Sequence, residues 1–408
     1  MSFAIAIAGL GALVLIHEAG HFFASLALGM RPRKFYLGFP PAVLKKTWRG
    51  IEYGVGAIPL GGFVKIPGMH RPGPGDIDTH LARIVGEAPA LGGPIERLRQ
   101  ELAAGDHDAA RTALATVKEL VAEEHLSDAG QKSAQRGIDD LTDSLGPDAY
   151  WRAAPWKRIV VIAAGPGANI LLTIVLLTGL LMTSGGKVTA RIDQIVHGTP
   201  TASPAERAGL RVGDTIVAID GASVTADEIR NRISASDGKP LVLTVVRKGE
   251  SVRIGPVAAE KNPDDGVYRI GFGLHSGGLA PAAAARRSVT VTWNVTKDIG
   301  KSLGRIVTGS GRKDISSPVG IVQGSSDAAK QGTTSYLEVL ALISLSIALL
   351  NLLPLLPLDG GHIAFSIIEG VRGRAVAREV YERVSVVGIA LVLLLFVIGL
   401  SNDIGHLS

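Results

Sequence analysis

Three ionisable side chains fall within five residues of an otherwise apolar stretch, as His17-Glu18-Ala19-Gly20-His21. On a helix turning about 100° per residue, positions four apart share a face, so both imidazoles can grip one Zn²⁺ and leave Glu18 beside its open coordination position. This HExxH spacing suits a zinc hydrolase. The bland alternative is a buried polar packing pair, but ionisable groups inside an apolar helix cost several kcal/mol and mark function by default. A catalytic zinc takes three protein ligands plus water. The chain has no cysteine, which excludes disulfides, thiolate metal sites and thiol nucleophiles and leaves an imidazole or a carboxylate as the third ligand. Asp359 is the candidate, within Asn351-Leu-Leu-Pro-Leu-Leu-Pro-Leu-Asp359-Gly-Gly-His362. Pro354 and Pro357 interrupt the helical ladder there, and Gly360 and Gly361 admit unusual backbone angles. At membrane depth such backbone is tolerated only where it is buried in protein or lines a wet cavity. A helix-terminal residue at the interface is the alternative for Asp359. His362 can reach the same face and reads as a supporting or interfacial group rather than a ligand.

The elements that must position these residues are apolar. Among 408 residues, 46% are hydrophobic and 19% charged, which excludes disorder and a minimal module. About 20 apolar residues at 1.5 Å rise cross a hydrocarbon core of roughly 30 Å. Four stretches qualify: residues 2–30, interrupted by the HExxH charges, and residues 159–184, 339–358 and 384–400. The first has no early Lys or Arg and holds charge at its centre, so it is expected to be a retained span and not a cleavable signal. Arg31, Arg33, Lys34, Lys45, Lys46 and Arg49 follow it, Lys157 and Arg158 precede the second span, and Arg372, Arg374, Arg378 and Arg383 separate the third from the fourth. By the positive-inside bias, residues 31–158 and 362–383 are expected in the cytoplasm, with both termini and the segment between spans two and three outside a multi-pass inner (plasma) membrane protein. The formal charge of +5 then reflects topology and contact with membrane lipid; nucleic acid is not an expected partner.

Residues 71–150 carry 8 basic and 15 acidic side chains, with apolar positions at helical spacing over 95–104, 109–125 and 131–145, which predicts an acidic helical cytoplasmic insert. Residues 187–258 alternate short β-patterned runs, at 191–196, 215–219, 241–247 and 251–257, with turn residues and one helical stretch at 226–234. An amphipathic stretch over 288–306 reads as a surface-lying or connecting helix.

Taken in order, HEAGH in the first span, GPGAN (Gly165 to Asn169) opening the second, the segment SPAERAGLRVGDTIVAIDG at 203–221, which resembles the centre of PDZ domains, and NLLPLLPLDGGH resemble the site-2 proteases. The likeness is to the bacterial kind that cleaves membrane-anchored anti-sigma factors during regulated intramembrane proteolysis. It covers nearly the whole chain except 71–150. It implies a polytopic α-helical membrane protein of four transmembrane helices, with a membrane-dipping β-hairpin and an inserted mixed α/β PDZ-like domain. Together with the composition and hydropathy, the expected layout is a first helix and re-entrant hairpin (1–70), the acidic insert (71–150), a second helix (155–186), an extracytoplasmic PDZ-like domain (187–260), a connector (261–335), and the third and fourth helices with the LDG motif (336–408). The resemblance also implies a zinc metalloendopeptidase with one Zn²⁺ per chain on His17, His21 and Asp359, and Glu18 as the catalytic carboxylate. The hairpin matches Gly54 to Val64; within it Gly61, Gly62 and Phe63, together with Asn351 beyond it, are expected to meet substrate. Implied partners are single-span membrane proteins, anti-sigma factors among them, and a peptide end or stub at the PDZ-like domain. The long acidic insert and the single PDZ-like unit depart from the pattern and bear on regulation and substrate choice. Two rivals stay open: a divalent-metal transporter or sensor, since intramembrane His, Glu and Asp also mark ion pathways, and a scaffold using the PDZ-like domain as a receptor. No internal repeat of the transporter kind is visible.

Overall fold

The computed structural model describes residues 2–183, 187–196, 202–262, 266–307, 317–376 and 378–407; residues 308–316 of the expected connector and 197–201 of the expected outer domain lie outside them. The chain forms two compact units, one of residues 1–173 and 294–408, the other of residues 174–293.

Four helices are long and apolar enough to cross a membrane: Phe3–Ala27, Pro155–Thr183, Thr333–Asn351 and Val380–Asp403. The third is shorter than its apolar run. Leu352 and Leu353 close it by bonding back to Ala348 and Leu350, residues 353–358 form turns, and Asp359 begins a new helix, Asp359–Arg372. Asp359 therefore does not end the third span as the run of residues suggested; two prolines that cannot donate to the ladder stop it early. Gly360 and Gly361 are helical, so their value is closeness. A Cβ on Gly360 would overlap the Leu352 and Leu353 carbonyls, and one on Gly361 the Leu355–Leu356 backbone. A carboxylate in the first turn also suits the positive end of the helix dipole.

The first two spans approach through glycines, as lipid-embedded helices do where backbones must meet. A Cβ on Gly20 would strike the Ala164 carbonyl. Between these spans lies a sheet built from strands Lys34–Trp48 and Ile51–Lys65, each folded on itself. Residues 42–48 pair antiparallel with 51–56, residues 34–37 lie beside 52–55, and on their other side they pair antiparallel with 62–65. The segment from Gly62 to Lys65 is thus an edge. Gly54 to Val64 is therefore not the hairpin expected from the sequence: its two arms flank residues 34–37 on opposite sides and do not pair with each other, because the earlier strand inserts between them.

Helices Pro74–His80, Ala82–Glu87, Gly92–Ala104, His107–Glu123 and Asp128–Leu145 make up the insert. They share a core that includes Ile84, Leu98, Val117, Ile138 and Leu141. Asp106 and Ser127 cap the last two by accepting from Ala109 N (2.9 Å) and Gly130 N (3.0 Å), satisfying orphan donors. Its two ends meet: Tyr150 N donates to Pro67 O at 2.8 Å and Trp151 N to Gly68 O at 3.1 Å.

In the second unit, five strands run in the order Phe272–Gly277, Lys187–Ile195, Thr215–Ile219, Pro240–Arg247, Glu250–Ala258, with a two-residue strand beside the third. Ile192, Ile216, Leu243 and Val245 are buried beneath helix Ala226–Ala235, with Ile229 and Ile233 on its inner face. The Phe272–Gly277 edge lies where the sequence suggested only a connector; a six-residue strand with glycine at two positions carries little β pattern. The buried Asp214 carboxylate accepts from Arg247 Nε at 2.8 Å and Nη2 at 2.7 Å and from Arg211 N at 2.9 Å.

Candidate metal centre

His17 and His21 both lie on helix Ser2–Ala27, one turn apart, and both are buried. Asp359 reaches them from 342 residues away, and its Oδ2 lies 3.1 Å from His17 Nε2 and 3.4 Å from His21 Nε2, while the two Nε2 atoms are 3.3 Å apart. Among the described residues these three form the one group of ligating side chains close enough to share an ion.

The spacing tests whether zinc fits. Ligand atoms about 2.0–2.2 Å from a tetrahedrally bound ion must sit roughly 3.3–3.6 Å from each other, and all three edges here are close to that. The chemistry agrees. His21 Nδ1 donates to the Val161 carbonyl at 2.9 Å, which turns Nε2 toward His17 Nε2 and Asp359 Oδ2. Fixing a ring by its outer nitrogen is the usual second layer of a zinc site. Two imidazole nitrogens and a carboxylate oxygen, the atom types that bind zinc, then lie within reach of one ion.

Gly165 makes the arrangement possible from behind. A Cβ there would collide with the His21 ring, so the GPGAN glycine is the floor under that imidazole. In front, Gly62 abuts Glu18: any side chain at 62 would overlap the Glu18 carbon chain. The edge strand therefore passes the acidic group with only backbone between them.

A cavity of about 590 Å³ takes in every residue expected to meet metal, water or substrate, namely His17, Glu18, His21, Asp359, Asn351, Gly61, Gly62 and Phe63. Asn351 ends the third span, and Gly61 takes a positive φ of 139° that suits glycine. His362 lines the same space, yet its Nδ1 pairs with the Tyr381 hydroxyl at 3.0 Å and its ring is not among the three ligands. Residue-by-residue reasoning missed the Val161 carbonyl, Phe39 and Tyr381. Only Val161 had a signal, its closeness to GPGAN.

The family profile described as peptidase family M50 matches residues 5–395. A candidate zinc metalloprotease of Agrobacterium fabrum is 30% identical over 98% of this chain and 94% of its own. Zinc metalloprotease RasP of Geobacillus kaustophilus is 30% identical over 97% of this chain and 95% of its own. Regulator of sigma-W protease RasP of Bacillus subtilis is 29% identical, covering 97% and 96%.

Proposed function

We propose, because this chain belongs to peptidase family M50, the site-2 proteases, that its zinc metalloprotease activity resides in the cavity where His17, His21 and Asp359 converge beside Glu18. The observation that carries this assignment is the set of 3.1–3.4 Å separations among three ligand atoms drawn from two separate helices. The protein is an intramembrane zinc metalloprotease; relatives named as proteases favour hydrolysis over metal transport or sensing.

When bound, zinc supplies Lewis acidity that polarises a carbonyl and makes water nucleophilic near neutral pH. His17, His21 and Asp359 hold it. Glu18, the neighbour of a ligand, accepts the proton of the attacking water on its carboxylate and returns it to the departing amine. A substrate helix must unwind to be cut, and lipid offers its freed N–H and C=O groups no partners. The edge at Gly62 to Lys65 offers them, by adding the substrate as a further strand past Glu18. Gly61, Gly62 and Phe63 meet the substrate backbone, and Asn351, which lines the same cavity, contacts it as well.

The basic loops support placing 31–158 and 362–383 in the cytoplasm, with both termini and the 187–260 region outside. The sheet with helix Ala226–Ala235 supports a PDZ-like reading of that region, which filters substrates by binding a peptide end or a trimmed stub. A relative named as regulator of sigma-W protease supports single-span anti-sigma factors as substrates, cut in regulated intramembrane proteolysis. The test is to reconstitute the protein with a panel of single-span peptides. Wild type should cleave, whereas Glu18→Gln and chelator-treated protein should not. Equal cleavage by wild type and Glu18→Gln would overturn the assignment.

A further inference from the structure

Resting on the reading of Gly62 to Lys65 as the strand that presents substrate, we infer that the acidic insert is a brace for that strand and that Asp143 is its central positioning residue.

The strand needs one. It is a four-residue edge entered through Gly61 and Gly62, the residue type that loses most conformational freedom on ordering, and a slip by one residue would turn every side chain to the other face. Its far end is Lys65. There the ammonium sits 2.7 Å from Asp140 Oδ1 and 3.1 Å from Asp143 Oδ2. The neighbouring strand begins just after Arg33, whose backbone N–H donates to the Lys65 carbonyl at 2.8 Å. Arg33 Nε donates to Asp143 Oδ1 at 2.7 Å, and its Nη1 and Nη2 reach the two oxygens of Asp148 at 2.8 and 3.2 Å. Asp143 thus bridges the ends of both strands.

All three carboxylates belong to the insert or its exit. Asp140 and Asp143 lie on its last helix, Asp128–Leu145, which is itself pinned where Arg111 Nη2 donates to Leu145 O at 2.6 Å and Trp151 Nε1 to Ser144 O at 2.7 Å. The network is partly shielded, with side-chain exposure of 29% for Arg33 and 16% for Asp143. Charge-assisted bonds in such a setting hold better than exposed surface pairs. Burial alone would lower the Lys65 pKa, yet its two carboxylate partners raise it above the ordinary lysine value.

A brace acts on substrate affinity and leaves the metal alone. Wild type, Asp140→Asn/Asp143→Asn and Asp143→Glu should be compared on one transmembrane peptide for KM, kcat, bound zinc and melting temperature. The paired neutral variant should raise KM about tenfold, with kcat and zinc unchanged and only a small fall in melting temperature, and Asp143→Glu should leave KM near the wild-type value. Equal KM values in wild type and the paired variant, or a KM in Asp143→Glu as high as in the paired variant, overturn the brace. Loss of zinc and kcat together overturns it too, by showing a role in folding alone. Absence of any cleavage by wild type would instead sink the protease reading on which it rests.

Discussion

At the metal centre Asp359 faces two imidazole nitrogens at 3.1 and 3.4 Å; in the insert Asp143 faces a guanidinium at 2.7 Å and an ammonium at 3.1 Å. The distances are alike and the electrostatics are opposite. Arginine and lysine arrive charged, so Asp143 is neutralised by its partners and the contact is complete. Imidazoles can offer lone pairs instead, so Asp359, His17 and His21 form a group that one metal ion can share. Residue type, more than geometry, separates a fastener from a reaction centre.

That contrast can be broken most severely at Asp359. Asp359→Ala should remove bound zinc and cut kcat/KM by roughly 10⁴-fold, measured by metal analysis alongside peptide cleavage; zinc retained at the wild-type level would reduce Asp359 to a second fastener. Gly62→Val should push Glu18 aside and lower kcat about 10²-fold, the scale of an ångström misplacement, while zinc stays bound. Simultaneous loss of metal would mean that Gly62 supports the ligands and not the carboxylate beside them. Arg247→Ala tests a true fastener in the second unit, where Asp214 is almost fully buried. Stranding that carboxylate should cost about 3 kcal/mol, read by chemical denaturation, without changing zinc content. The smallest effect is on pH dependence. Burial pushes the Asp214 pKa up, but Arg247 and the Arg211 amide outweigh it and hold it below the ordinary 3.8. The stability this contributes is complete above the unfolded value and is lost as pH falls through the folded one. Acid unfolding of the second unit should therefore shift to higher pH in Arg247→Ala.

The parts of the site that were legible in the sequence are those with local cause. His17, Glu18 and His21 share one helical turn, and charge in an apolar run advertises itself. Asp359 was legible for the same reason, although nothing local says that it meets residues 342 positions away. What stayed hidden depends on tertiary approach. Gly62 beside Glu18, Gly165 beneath His21 and the pairing of 34–37 with 62–65 leave no periodic trace, since glycine at a close contact looks like glycine in a turn. The three longer insert helices were legible from their 3.6-residue period, whereas Pro74–His80 and Ala82–Glu87 are too short to show one; the ion pairs from Asp140 and Asp143 to the sheet were not legible, because charge on a solvated face and charge in a network are written alike. The early end of the third span was overridden by composition: apolar residues continue to Leu358, whereas Pro354 and Pro357 end the helix before them.

Gly62 also has a bearing on selectivity. A guest laid along Gly62 to Lys65 would meet the acidic group through main-chain atoms, which are the same in every polypeptide. Such an encounter reads how readily a segment comes undone and is nearly blind to its letters. Choice of target must then be exercised before the guest arrives, by whatever admits it, and the reaction centre can stay indiscriminate without being indiscreet.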